Sequence, residues 1–132
     1  MAKKVKVVVE NQESKDNVTY KKKVIISIVS LATQEINGIA SINKNYIPVF
    51  KTMFNPNSKK GIIIAFDKYN KVNIDVFVNV KFGYSVRDVA FRVQENIKSS
   101  VESMTEDKVG QINVHVVGVI FNDIDSDSDF VS

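Results

Sequence analysis

The stretch that decides the fold runs from residue 72 to residue 121 and reads VNIDVFVNVKFGYSVRDVAFRVQENIKSSVESMTEDKVGQINVHVVGVIF. Its first eleven residues alternate between apolar and mostly polar side chains, the period-two pattern of a strand with one buried face. After Gly83 the apolar residues recur every three or four positions, which predicts a helix of about 30 Å over residues 85–104. Alternation then returns over residues 112–121. The stretch therefore predicts strand, helix and strand, with the two strands parallel and joined by a right-handed crossover.

Local signals refine the helix and the last strand. Ser85 is a candidate N-cap, because its hydroxyl can accept from the backbone N–H of Asp88. The last strand is apolar on both faces, which predicts a central position in the sheet. One face is expected to hold Ile112, Val114, Val116 and Ile120, and the other Val117, Val119 and Phe121.

Upstream of this stretch the sequence predicts three further elements. Residues 61–66 form a short apolar strand, followed by a turn over residues 67–71. Apolar residues at helical spacing predict a helix over residues 24–36, which Gly38 would end in a left-handed conformation. Alternation over residues 4–9 suggests a first strand. Residues 11–17 are interpreted as a loop, and residues 41–60, which contain Pro48 and Pro56, as a long one.

These elements predict an α+β fold, a two-layer sandwich with two helices on one face of a four-stranded mixed sheet, in the order β-α-β-β-α-β. A ferredoxin-like arrangement is the main alternative. We expect one domain over residues 1–121 and an acidic, disordered tail over residues 122–132. The tail carries Asp123, Asp125, Asp127 and Asp129, whose alternation is similar to a calcium loop but lacks its glycine and its closing glutamate.

Composition narrows the classes of function. The chain has no cysteine, no apolar run of about 18 residues and no secretory h-region at its start, which predicts a cytoplasmic protein without direct membrane insertion. The 18 basic and 15 acidic residues leave a net charge of +3, a balance that argues against nucleic acid as a partner. The five glycines are dispersed, so no phosphate-binding loop is expected.

His115 is the single histidine of the chain and the first candidate for acid–base chemistry. It lies in the middle of the last predicted strand, with Asn113 and Val117 as neighbours on the same face. The surrounding sequence supplies no carboxylate partner, and no second histidine or cysteine completes a metal set. We therefore expect a structural role for His115, and no catalytic residue, cofactor or metal.

Four motifs in this order and spacing resemble the signature of the alkaline shock protein family. They are VFVNVKFG (76–83), VQENI (93–97), VESMT (101–105) and INVHVVGV (112–119), and QEINGIA (34–40) is similar to the exit of the family's first helix. The resemblance covers residues 18–121. It implies a small α+β domain of Gram-positive-type bacteria, linked to cell-envelope or alkaline stress, that self-associates to a homo-oligomer. Some members are held at the membrane through a separate anchoring partner, and the family offers no catalytic residues to carry over.

The resemblance and the lack of chemistry predict a non-enzymatic structural or interaction protein. The candidate contact residues are the apolar side chains Tyr46, Phe50, Met53 and Phe54 and the basic run Lys21, Lys22 and Lys23. Core packing is the other interpretation of the apolar set. The alternative function is a small RNA-binding module, in which the lysines would meet phosphates, although the G-x-x-G loop of a KH domain is absent.

Overall fold

A computed structural model describes residues 14–44 and 61–121. The elements are α1 (Ser14–Gln34), β1 (Ile39–Ile42), β2 (Ile62–Phe66), β3 (Lys71–Lys81), α2 (Val86–Met104) and β4 (Lys108–Ile120). The strand, helix and strand predicted over residues 72–121 are confirmed as β3, α2 and β4. The strand predicted over residues 4–9 and the acidic tail lie outside the described residues.

The four described strands form one mixed sheet around β3. β4 runs parallel to β3 along one edge, whereas β2 and β1 lie end to end and antiparallel along the other, against residues 72–76 and 78–80. Because β3 and β4 are direct neighbours, the unit is not the split one of a ferredoxin-like arrangement. The central strand is β3, the strand with neighbours on both edges, and the central position that the sequence predicts for the last strand is wrong.

Both helices pack on one face of this sheet, as predicted. Five apolar residues of β3 face them with no exposed surface: Val72, Ile74, Val76, Val78 and Val80. α2 contributes a buried stripe of Val89, Val93, Ile97 and Val101, whose spacing of four places all four on one side of the helix. α1 adds Ile25, Ile26, Ile28, Val29 and Ala32 to the same cluster. The core is therefore a single apolar layer between helices and sheet.

The first helix is longer than the sequence indicates. It begins at Ser14, so the loop predicted over residues 11–17 is wrong from Ser14 onward. The apolar stripe begins only near Val24, because the first turns lack a continuous buried face. The helix ends at Gln34, and Gly38 does adopt the predicted left-handed conformation, with φ of 104°, at the turn into β1.

Sequence reasoning misses β1, because only four residues form it and their burial does not alternate cleanly. The predicted long loop is wrong at its start, since Ser41 and Ile42 belong to this strand. The N-cap of α2 is confirmed: the N–H of Asp88 donates to Ser85 Oγ at 3.3 Å.

Two β-bulges in β4 explain why its faces differ from the simple alternation. Gly110 and Gln111 lie opposite Asn73, and Val117 and Gly118 lie opposite Asn79. The N–H of Gln111 donates to Asn73 Oδ1 at 2.8 Å, so the first bulge is hydrogen-bonded by a side chain of the neighbouring strand.

The second bulge shifts the register of the last residues of β4 by one. Val119 pairs with Val80 on the helix side, and Ile120 pairs with Lys81 on the opposite face. The sequence assigns Val119 and Ile120 to the reverse faces, because an alternation count cannot register an inserted residue.

One buried hydroxyl in α1 carries a testable cost. Thr33 is fully buried, and its Oγ1 has no hydrogen-bond partner among the described parts of the chain. Replacing Thr33 by valine keeps the shape and removes the unsatisfied group, so we expect the free energy of unfolding to rise by about 1 kcal/mol. Urea denaturation of both proteins measures this. A less stable variant would show that Thr33 Oγ1 does have a partner in solution.

Candidate functional site

The sheet face opposite the helices carries a polar cluster centred on Asp75. His115 Nε2 lies 2.9 Å from Asp75 Oδ1, and Asn113 Nδ2 donates to the same oxygen at 3.1 Å. The imidazole ring stacks on Phe77, with ring centroids 4.4 Å apart and planes 11° from parallel. The expectation that His115 lacks a carboxylate partner is wrong. The partner lies 40 residues away in sequence, and only the parallel pairing of β3 with β4 brings it close.

This cluster orients an imidazole but supplies little else for catalysis or metal binding. Within residues 14–44 and 61–121, no group of three His, Cys, Asp or Glu side chains could hold a metal ion. The same carboxylate oxygen serves both Asn113 and His115, so the three side chains cross-link β3 and β4. A structural role for His115 stays our prediction, now with named partners.

The motif residues of α2 also bond within the fold. Gln94 Nε2 donates to the carbonyl oxygen of Ile112 at 2.9 Å, and Asn96 Nδ2 donates to that of Ala32 at 2.8 Å. Glu102 Oε2 accepts from the N–H of Val109 at 2.9 Å. These bonds tie α2 to β4, to α1 and to the start of β4. Their side chains are occupied by the scaffold, which leaves the contact surfaces to other residues.

Exposed apolar side chains gather where β3 and β4 end, and we call this group the sheet-end patch. Its members are Phe82, Tyr84, Val86, Val119, Ile120 and Phe121. Phe82 and Phe121 are 66% and 57% exposed, and their ring centroids lie 4.8 Å apart. From the size of such side chains the patch exposes on the order of 500 Å², comparable with the largest apolar patch of an ordinary monomer, which is often functional.

The opposite end of the molecule is rich in lysine, and we call it the lysine end. It comprises Lys21, Lys22, Lys23, Lys68, Lys71 and Lys108. Lys71 and Lys108 are direct neighbours across β3 and β4, and both are exposed. Lys21 links α1 to this end, because its Nζ lies 3.4 Å from Asp107 Oδ1 and 5.4 Å from the ring centroid of Phe66.

Three acidic side chains at the lysine end are engaged within the fold. Asp107 pairs with Lys21, and Glu102 accepts from the backbone of Val109. Asp67 Oδ1 accepts from the N–H groups of Lys71 and Tyr69 at 3.0 and 2.8 Å. The bond from Lys71 is the main cause that lowers the pKa of Asp67 below its ordinary value. These three carboxylates are therefore occupied, and the exposed lysines beside them can meet an external anion.

A cleft of about 600 Å³ separates α1 from β1. Isoleucines of α1, β1 and β2 line it, and the one charged side chain among its described lining residues is Lys44. Neither His115 nor Asp75 reaches it. The cleft therefore offers no acid–base pair, and we assign it no chemistry.

The structure separates the contact residues that the sequence proposes. Tyr46, Phe50, Met53 and Phe54 lie outside the described residues, so their role as a contact surface stays a prediction. Lys23 is exposed and Lys22 half-buried, whereas Lys21 is engaged in an ion pair.

Sequence reasoning misses the sheet-end patch, although its signal is present. Phe82 and Phe121 continue the apolar runs of β3 and β4 beyond the end of the helix layer. Periodicity assigns such residues to a buried face, and only the tertiary structure shows that nothing in the described helices covers them.

Comparison with known proteins gives a family for this chain. The model of the alkaline shock protein family, described as having a cell envelope-related function, matches residues 10–121. The protein YqhY of Bacillus subtilis strain 168 is 34% identical over 100 residues, which are 75% of this chain and 73% of YqhY. The protein Spy1535 of Streptococcus pyogenes serotype M6 is 27% identical over 99 residues, 74% of each chain.

One solved structure, a variant of the MamM CTD, aligns with a TM-score of 0.46 at 10% identity, over 75% of this chain and 96% of the other. Within the described residues, neither helix has the length and apolarity that crossing a membrane requires.

Proposed function

This chain belongs to the alkaline shock protein family, and from that premise we propose that it is a non-enzymatic interaction domain that self-associates and binds partners in a cell-envelope-related role. A general stress response in the cytoplasm, with membrane association through an anchoring partner, is part of this proposal. The sheet-end patch is the observation that carries it. Exposed aromatic and branched side chains in contact with each other cost free energy in water, and an interface removes that cost.

The remaining features agree with this assignment. His115 is held by Asp75 and stacked on Phe77, and the motif residues Gln94 and Glu102 bond to the backbone of β4. These groups build the scaffold, so the chemistry left at the surface is apolar contact and charge. Such a surface fits a protein partner, of which a second copy is the simplest.

Replacing Phe82 and Phe121 together by serine tests the proposal. We expect wild-type protein to associate in sedimentation velocity as concentration rises, and the double variant to associate at least about tenfold more weakly, since the loss of two aromatic contacts costs more than about 1.4 kcal/mol. Leu31→Ser is the matched control, because Leu31 is similarly exposed, at 65%, but lies on α1 and outside the sheet-end patch.

A wild-type protein that stays strictly monomeric at high concentration would contradict self-association. Equal association of the double variant and the Leu31→Ser control would show that the contact lies elsewhere.

RNA binding is the second candidate, favoured by the adjacent Lys71 and Lys108 at the lysine end. Contacts to phosphates would make affinity fall steeply with salt concentration. Anisotropy titration with single-stranded RNA at two salt concentrations tests this function. Failure to bind at low salt would end it.

A further inference from the structure

We propose that the acidic segment over residues 123–129 of one copy binds the lysine end of a second copy, so that copies associate head to tail. This inference rests on the proposed self-association and names its two surfaces. It follows from the placement of opposite charges at opposite ends of the molecule.

The receiving surface is held together despite its own repulsion. Lys71 and Lys108 lie directly opposite each other on neighbouring strands, an arrangement of like charges that destabilises a sheet. Lys68 lies in the turn before Lys71, with its Nζ 5.3 Å from the ring centroid of Tyr69. The nearby carboxylates of Asp67 and Asp107 are already occupied. A bound anionic segment would relieve the repulsion between the lysines.

The donating segment begins at the other end of the molecule. β4 ends at Ile120, and Phe121 in the sheet-end patch is followed within eight residues by Asp123, Asp125, Asp127 and Asp129. The thirteen residues of β4 separate this end from Lys108 by about 40 Å, at a rise of about 3.3 Å per residue.

Reach decides between an internal contact and a second copy. The eight residues from Phe121 to Asp129 span at most about 28 Å even when fully extended. That length is shorter than the strand that separates Phe121 from Lys108, so these aspartates cannot meet Lys71 and Lys108 of their own chain. The same segment reaches the lysine end of a neighbour whose lysine end abuts the sheet-end patch.

The lysine end also offers apolar surface to such a neighbour. Tyr20, Tyr69 and Met104 are 54%, 72% and 68% exposed there, where they can cover Phe82 and Phe121 of the next copy. A contact between two different surfaces is heterologous, and it leads to open chains or closed rings of copies. Apolar contact would supply affinity, and the charges would fix the orientation.

Pairing of two β4 edges is the rival geometry, and β4 is built against it. Gln94 Nε2 occupies the carbonyl oxygen of Ile112, and the bulges at Gly110 and Gly118 interrupt the regular row of backbone groups. Bulges and blocked carbonyls are the means by which edge strands avoid pairing with other chains.

Two variants, each lacking one surface, test the proposal. The first replaces Asp123, Asp125, Asp127 and Asp129 by asparagine, and the second is Lys71→Glu/Lys108→Glu. We expect each variant alone to associate at least about tenfold more weakly than wild type in sedimentation velocity. Mixed in equal amounts, they should form a one-to-one complex and nothing larger, because each retains one working surface.

The control Lys44→Glu/Lys98→Glu makes the same change in net charge as Lys71→Glu/Lys108→Glu, on exposed lysines outside both surfaces, and should associate as wild type does. Thermal unfolding by circular dichroism would verify that every variant is folded. We also expect wild-type association to weaken about tenfold between low and high salt, as screening of exposed charges requires.

Several results would overturn the inference. A monomeric wild type would refute the proposed self-association together with it. A wild type that associates, beside an asparagine variant that associates equally well, would refute the tail contact alone. Equal association of all variants, with RNA binding that Lys71→Glu/Lys108→Glu abolishes, would assign the lysine end to nucleic acid instead.

Discussion

Replacing Ile97 by alanine should lower the free energy of unfolding by about 3 to 4 kcal/mol, the usual cost of removing a large aliphatic side chain from a closed core. Ile97 has no exposed surface and lies in the buried stripe of α2, between Val93 and Val101. The cluster around it includes the apolar face of β3, so the helix cannot shift to fill the space without losing contacts elsewhere. The loss combines the transfer of the removed atoms to water with the cavity they leave.

Urea denaturation followed by circular dichroism measures this effect, and the melting temperature should fall by more than about 10 °C. Leu31→Ala serves as the control, because Leu31 is largely exposed on α1, and its replacement should change stability by less than about 0.5 kcal/mol. A similar small effect at both positions would mean that α2 does not pack on the sheet as described.

Replacing Gly38 by alanine should destabilise the fold by about 2 to 4 kcal/mol, the sum of a left-handed backbone and a close contact. Gly38 has φ of 104°, a region that L-residues with a Cβ avoid. A Cβ at this position would lie 2.7 Å from Val89 Cγ2 and 2.8 Å from Tyr84 Cδ2. Val89 is buried in the core, so it cannot move aside without disturbing its neighbours.

Gly83→Ala separates the two contributions. Gly83 has almost the same φ, 100°, but a Cβ there would meet no atom within 4 Å. We therefore expect about 1 to 2 kcal/mol for Gly83→Ala, the backbone cost alone, and a larger loss for Gly38→Ala. Equal losses in urea denaturation would show that the turn after α1 relaxes and that the contact with Val89 costs nothing.

Most of the scaffold could be predicted because its signals are periodic and local. The alternation of β3 and the stripe of α2 each extend over many residues, and the Ser85 cap depends on a neighbour three positions away. β1 has only four residues, so its pattern is too short to distinguish from a loop. The start of α1 lacks an apolar stripe, and its helix extends beyond the only signal that the sequence offers.

The candidate site depends on contacts between distant residues. Asp75 meets His115 only because β4 runs parallel beside β3 in one register, and the sequence near His115 contains no hint of that partner. The lysines of the lysine end come from α1, from the β2–β3 turn with the start of β3, and from the start of β4. No linear pattern connects these segments.

The sequence by itself determined the unit over residues 72–121, since burial of one face forces a period of two in a strand and of 3.6 in a helix. It also determined the family, through motifs whose side chains turn out to bond within the fold. Only the tertiary structure decided which apolar residues stay exposed, because exposure depends on where the helix layer stops. Phe82 and Phe121 continue the pattern of the core but lie beyond its edge, and so they form a surface instead.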